Sequence, residues 1–411
     1  MSPQTLLYII LAIITIDFLL DQILDYLNMK HQRDVLPEKL RDVYDEKEFK
    51  RSQEYHKTNA KFGFITSTFS FLLLFIVIST GFLGYLDETL RSVTEHPVWL
   101  ALIFFGILFL ASDIINLPFA LYKNFVIEEK FGFNKMKVST FFGDKLKGYL
   151  LGIIIGGGLL WIFLSLITEL GSQFWVWFWG VVVLFMLITN MFYTSLILPL
   201  FNKLTPLPEG ELRTAIEDYC KKVNFPLKNL FVIDGSKRSA KANAFFSGIG
   251  KQKKIVLYDT LVEKHTTEEL VAVLAHEVGH FKKKHIISGM ALSILQTGFM
   301  LFLLSLMVFS TSLSEALGAD QLAFHLNLIA FGILYTPFSH LTGIFMNLFS
   351  RKNEYEADSF AAETYSAKPL ITALKNLSAN NLSNLTPHPA YVFMHYSHPP
   401  LVQRLDNLEK H

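Results

Sequence analysis

Long apolar runs alternate along the chain with polar segments. Five runs contain no Asp, Glu, Lys or Arg: Phe62 to Leu86, Gly148 to Thr168, Leu170 to Asn202, Ile286 to Ser314 and Gln321 to Ser350. Each is long enough for the roughly 20 residues that a helix needs to cross the hydrocarbon core. Two more runs carry acids. Leu6 to Leu27 places Asp17, Asp21 and Asp25 at i, i+4 and i+8, and Pro97 to Tyr122 carries Asp113 near Asn116. The pattern predicts seven transmembrane helices. Ionised side chains pay a steep desolvation cost in lipid, so these acids are expected to face the bundle interior or a wet cavity. Gly152, Gly156, Gly157 and Gly158 in the fourth run suit close helix packing. No Lys or Arg precedes the first run, which therefore lacks the basic start of a cleaved signal peptide.

Four units follow: residues 1–202 with helices one to five, a polar module over 203–285, helices six and seven over 286–350, and a polar C-terminal segment over 351–411. Within the module, Glu209 to Val223 has helical periodicity, and Leu230 to Ile233 and Ile255 to Tyr258 read as short strands. Ala244 to Ser247, before Gly248-Ile249-Gly250, reads as one arm of a hairpin in a small antiparallel sheet. Asn243, Ala244 and Phe245 are the candidate edge that could take up a substrate peptide as an added strand, through main-chain hydrogen bonds.

Composition agrees with a membrane protein. Of 411 residues, 51% are hydrophobic and only 18% charged, with a mean hydropathy of +0.35. A formal charge of +1 offers no general basic field for nucleic acid. That near-neutral total hides an asymmetry. The segments on one side, 28–61, 123–147, 203–285 and 351–411, hold 36 of the 37 Lys and Arg residues, and Arg91 alone lies on the other. By the positive-inside rule the N-terminus faces away from the cytoplasm and both long polar segments lie on the cytoplasmic side. The membrane would be the inner membrane of a bacterial cell or the endoplasmic reticulum of a eukaryotic one. The glycosylation tripeptides at Asn376, Asn381 and Asn384 then read as chance matches. A single cysteine, Cys220, excludes a disulfide framework and reads as a small buried residue.

The candidate chemistry lies in these polar segments. Thr266-Thr267-Glu268-Glu269 opens a helix as a capping box, and that helix runs on to His276-Glu277-Val278-Gly279-His280. Imidazoles at i and i+4 share a face, so both can meet one zinc ion while Glu277 reaches its water. Such an ion lowers the pKa of water to about 7 and polarises a carbonyl. A catalytic zinc site needs a third protein ligand. Lys283 and Ile286 stand where a metzincin would have Gly and His, and His285, after three lysines at the membrane edge, reads as interfacial. A carboxylate from a later helix is the alternative. Glu354 and Asp358 are i, i+4 on one face of the segment Ser350 to Asp358, while Glu356 points elsewhere. One of the pair could bind metal and the other hold a ligand imidazole by its second nitrogen; spacing does not say which.

These motifs, with Ala242-Asn243-Ala244-Phe245, His398-Pro399-Pro400-Leu401-Val402-Gln403-Arg404 and seven spans, resemble the type I CAAX prenyl proteases, integral-membrane zinc metalloendopeptidases, over nearly the whole chain. The resemblance implies one Zn2+ held by His276, His280 and Glu354, with Glu277 as general base and Asp358 as the acidic partner. Beside a cation, a carboxylate should stay ionised, which favours Asp358 as an orienter of an imidazole over a proton donor. His398 matches a histidine near the substrate carbonyl that could stabilise an oxyanion. Arg404 could pair with an acid of the site or with a substrate carboxylate. His388 and His395 belong to no motif.

The implied fold is a seven-helix polytopic membrane protein around a large chamber, capped by a small α+β zinc-protease module. The implied partners are the bilayer and a peptide or protein substrate, prenylated or membrane-associated. In eukaryotic members that substrate ends in a farnesylated Cys-aliphatic-aliphatic-any sequence and is cut after the modified cysteine. A quality-control membrane protease of the HtpX type shares the motif set with fewer spans. A seven-helix transporter or receptor with structural zinc is a reading from another class, disfavoured because a structural site has no use for Glu277 and closes with four protein ligands.

Overall fold

The computed structural model describes residues 1–32, 35–227, 229–247 and 254–411. Among them, six helical segments are long and apolar enough to cross a membrane: Pro3–Lys30, Glu46–Ser79, Pro97–Glu128, Val138–Phe201, His285–Met307 and Phe324–Thr364. The chain is a multi-pass membrane protein. Side chains such as Ile153, Trp177, Leu295 and Leu341 are exposed on these segments, which suits a surface whose solvent is lipid.

The fourth and fifth apolar runs fall in one segment, Val138–Phe201, but it is not straight. The helix Gly158–Leu170 ends at Gly171, whose φ of 53° only glycine adopts cheaply, and the next helix starts at Phe174. Phe163 meets Phe174 edge-on at 5.5 Å, so the two helices lie side by side. The glycines near position 155 behave differently from expectation. A Cβ on Gly152, Gly156, Gly157 or Gly158 would meet nothing within 4 Å, so they do not seat a neighbouring helix. They lie in or beside a wide π-helical turn, Gly152–Gly157.

Most of the acids in the spans have cationic or polar partners. Asp17 pairs with His340 at 2.5 Å, Asp21 lies 3.8 Å from His395, and Asp113 binds Lys145 and Tyr149. At the end of the bundle opposite the module, buried Asp87 binds Arg91 at 2.8 Å and His325 at 2.9 Å.

The sheet comprises β1 (Leu204–Pro206), β2 (Asn229–Ile233), β3 (Ala244–Ser247) and β4 (Lys254–Tyr258), in the order β1-β2-β4-β3. It is mixed and not purely antiparallel. β2 and β4 pair in parallel, Leu230 opposite Ile255, while β1 and β3 flank them antiparallel. The connection from β2 to β4 is long enough for a parallel crossover, and β3 lies within it. The expected hairpin turn, Gly248-Ile249-Gly250, lies outside the described residues. β1 was not legible because its three residues end in Pro206.

Residues from both long polar segments build one core. Leu207, Ile216, Cys220 and Leu257 pack with Leu270, Leu274 and Val278, and with Ala361, Leu370 and Leu408. Cys220 is buried there, and burial pushes its thiol up to about 12. The helix Thr267–Lys282 is the centre of this unit, with Val271, Ala272, Ala275 and Val278 all at most 1% exposed. Its first turn is capped as the sequence implies, since the Glu269 N–H donates to the Thr266 hydroxyl at 3.3 Å.

Candidate active site

Two helices carry the site. Thr267–Lys282 presents His276, Glu277 and His280, and the C-terminal part of Phe324–Thr364 presents Glu354 and Asp358. Gly279 sets their separation. A Cβ at Gly279 would lie 3.0 Å from the Ala357 Cα and 3.1 Å from its carbonyl oxygen, so only glycine allows the backbones to come this close. The apolar x-x of the His-Glu-x-x-His motif therefore has a packing role here.

At this crossing His276, His280 and Glu354 each offer a ligand atom, all within 4.8 Å of one another. The Nε2 atoms of His276 and His280 are 3.1 Å apart. From Glu354, Oε2 lies 3.5 Å from His276 Nε2, and Oε1 lies 3.2 Å from His280 Nε2. Ligands on a tetrahedral ion with bonds of about 2.0–2.1 Å would be roughly 3.3 Å apart. Glu354 Oε2 is buried without a hydrogen bond. Two imidazoles, a carboxylate and an unused buried oxygen fit a divalent cation.

Asp358 lies one turn beyond Glu354 and is fully buried. Its Oδ1 is 2.8 Å from His276 Nδ1, the nitrogen facing away from the cluster. The Arg404 guanidinium grips the same carboxylate with two bonds, Nε to Oδ2 at 2.8 Å and Nη2 to Oδ1 at 2.6 Å. Of the two roles open to Arg404, the structure shows the pairing with an acid of the site. Its Nη1 also lies 3.4 Å from Glu354 Oε2.

Glu277 accepts no hydrogen bond among the described residues. Burial pushes its carboxyl above its ordinary value, and His276 and His280 pull against that shift. For His280, burial favours the neutral ring, but the hydrogen bond and charge of Glu354 outweigh it and raise the pKa of the metal-free form. His398 is exposed, with Nε2 3.4 Å from Glu354 Oε1 and Nδ1 held at 3.0 Å from the Ser397 hydroxyl. Ala244 and Phe245 begin the outer strand β3, with Asn243 just before it; β3 has β4 on one side and no strand on the other among the described residues. Phe245 and His285 line one cavity of about 600 Å3.

The contact that His285 makes with the site has no signature in the spacing of the motif. His285 lies outside the His276, His280 and Glu354 group, as read, but it is buried, and its Nδ1 lies 3.0 Å from His280 Nδ1. It stands five residues past the second motif histidine, where the helix breaks at Lys284 with a φ of 60°.

A model of the CAAX prenyl protease N-terminal domain, five membrane helices, matches residues 25–203, and the model of peptidase family M48 matches residues 206–411. The chain belongs to the M48 peptidases, in the branch of the type I CAAX prenyl proteases. This M48 chain is 37% identical to the CAAX prenyl protease 1 homolog of Oryza sativa subsp. japonica, over 93% of each. It is 34% identical to CAAX prenyl protease 1 of Saccharomyces cerevisiae, over 91% of this chain and 88% of that one. The crystal structure of S. mikatae Ste24p superposes with a TM-score of 0.93 at 32% identity, covering 98% and 99% of the two chains. The protein is therefore a membrane-embedded metallopeptidase, and its metal-dependent chemistry follows from the family.

Proposed function

We propose that this M48 peptidase is a zinc endopeptidase acting on CAAX proteins, with His276, His280 and Glu354 as the zinc ligands and Glu277 as general base. The observation that carries the reading is the His276, His280 and Glu354 donor set, because three protein ligands are the number of a catalytic site and not of a closed structural one. Bound zinc supplies a Lewis acid that activates water and polarises the scissile carbonyl. Glu277 takes the proton of the attacking water and passes it to the leaving amine, a transfer favoured by its raised pKa. His398 donates from its ring N–H to the developing oxyanion. Asp358, held from behind by Arg404, fixes the His276 ring through Nδ1. Asn243, Ala244 and Phe245 hold the substrate main chain along the free side of β3.

Prenylated substrates are supported by the relatives, which are CAAX prenyl proteases by name, and by the cavity of about 600 Å3, whose lining includes Phe185, Met186, Tyr193, Phe245, Ile286 and Met290. A cavity of that size with a largely apolar wall suits a lipid substituent. On matched peptides with and without a prenyl group on the cysteine, the purified enzyme should cleave the prenylated one with at least tenfold higher kcat/KM, and a chelator should abolish cleavage. Equal rates would reject the prenyl preference, and chelator-resistant cleavage would reject the metal mechanism.

In the bilayer, seven helices cross, because the chain reverses at Gly171 inside the segment Val138–Phe201. A zinc site on the cytoplasmic side is supported by the Lys and Arg distribution, 36 of 37 on one side. A glycosylation acceptor introduced beside Ser92 should be modified in a eukaryotic membrane; an unmodified acceptor would reverse the orientation.

A further inference from the structure

The two motif histidines are supported differently. His276 has a carboxylate directly on its outer nitrogen, at 2.8 Å. His280 has another imidazole there: its Nδ1 lies 3.0 Å from His285 Nδ1, and His285 Nε2 lies 3.1 Å from Glu356 Oε2. The chain runs from the metal cluster to a carboxylate whose side chain is 38% exposed, through a ring that is 7% exposed. Lys352 also approaches Glu356, at 3.7 Å.

We propose that His285 and Glu356 are positioning residues that fix the tautomer and orientation of His280 for metal binding, as Asp358 does for His276. This rests on the assignment of His280 as a ligand. With the His280 Nε2 lone pair turned to the metal, its Nδ1 carries the hydrogen and donates to His285 Nδ1. That leaves the His285 hydrogen on Nε2, where it donates to Glu356. Each donor finds an acceptor in one direction only, so the exposed carboxylate sets the tautomers of both rings. The backbone is built for this contact. In an unbroken helix a residue at i+5 points well away from residue i, and the left-handed Lys284 breaks the helix and brings the His285 ring back against His280.

The test is metal affinity of the full-length protein by competition with a chelator, together with the visible spectrum of the Co(II) form. Replacing His285→Leu keeps a buried apolar volume and removes the acceptor; the metal Kd should rise about 10–100-fold and the Co(II) bands should shift. His285→Gln restores an acceptor oxygen and should recover most of the affinity, which a packing role would not produce. Glu356→Ala, at a partly exposed position that does not threaten folding, should weaken binding several-fold. A parental Kd in His285→Leu, or a Gln variant no better than the Leu variant, overturns the proposal. Should the Leu variant not fold, a Kd within about twofold of the parent in Glu356→Ala overturns it equally. His280→Ala separates the two levels: if it keeps parental affinity, the ligand assignment itself has failed, whereas loss of binding there with no effect at His285 and Glu356 rejects only the chain.

Discussion

Glu277→Gln is expected to leave metal content and thermal stability at parental levels while lowering kcat by about 10^2–10^4-fold, the range that one positioned general base supplies. The two side chains have nearly the same shape. Glu277 accepts no hydrogen bond among the described residues, so its replacement leaves no donor stranded. Its carboxyl is disfavoured as an anion by burial, and the neutral amide removes that cost without disturbing His276 or His280. Atomic absorption, a melting curve in detergent and single-turnover cleavage of the same sample measure the three quantities. Metal loss in step with activity would make Glu277 a ligand or a structural residue, and unchanged proteolysis would remove it from the mechanism.

How much of this could be read from the residues depends on the distance over which each signal acts. Apolar runs report burial or lipid locally, so the multi-pass membrane character was legible, while among the described residues six helical segments, against the seven expected, are long and apolar enough to cross; Phe324–Thr364 continues past Ser350 as one helix and carries Glu354 into the module. The chain reverses at Gly171, two residues past Glu169, the charge that divides the fourth and fifth apolar runs. Strand pairing in a mixed sheet is nonlocal, and the parallel partnership of β2 and β4 has no local signature. The spacing of His276, His280, Glu354 and Asp358 identified which residues meet, because i, i+4 pairs on two helices need only one crossing. It did not divide the roles of Glu354 and Asp358. Their surroundings differ: the Glu354 carboxylate faces the Nε2 atoms of both His276 and His280 and keeps Oε2 without a hydrogen bond, whereas both Asp358 oxygens are taken by Arg404 and His276. His285 was missed because helical periodicity puts residue i+5 on another face, and one left-handed residue, Lys284, cancels that periodicity.

Arg404→Leu is expected to destabilise the module by about 3–5 kcal/mol and to weaken metal binding, because it leaves a carboxylate buried without its cation. Asp358 is 0% exposed and the Arg404 side chain 12% exposed, so water does not replace the lost partner. The double variant Arg404→Leu, Asp358→Asn should be markedly more stable than the single one, since the neutral amide removes the unpaired charge while its oxygen still accepts from His276 Nδ1. Thermal unfolding in detergent and metal competition on all four members of the cycle give the coupling. A substrate-gripping Arg404 would behave otherwise: its replacement would raise KM for peptides with a free C-terminal carboxylate and leave stability and metal affinity unchanged. The bidentate pairing already engages Nε and Nη2, leaving Nη1 beside Glu354, so the arginine lies behind the His276, His280 and Glu354 cluster. A loss of stability below about 1 kcal/mol, the worth of an exposed ion pair, would contradict that placement.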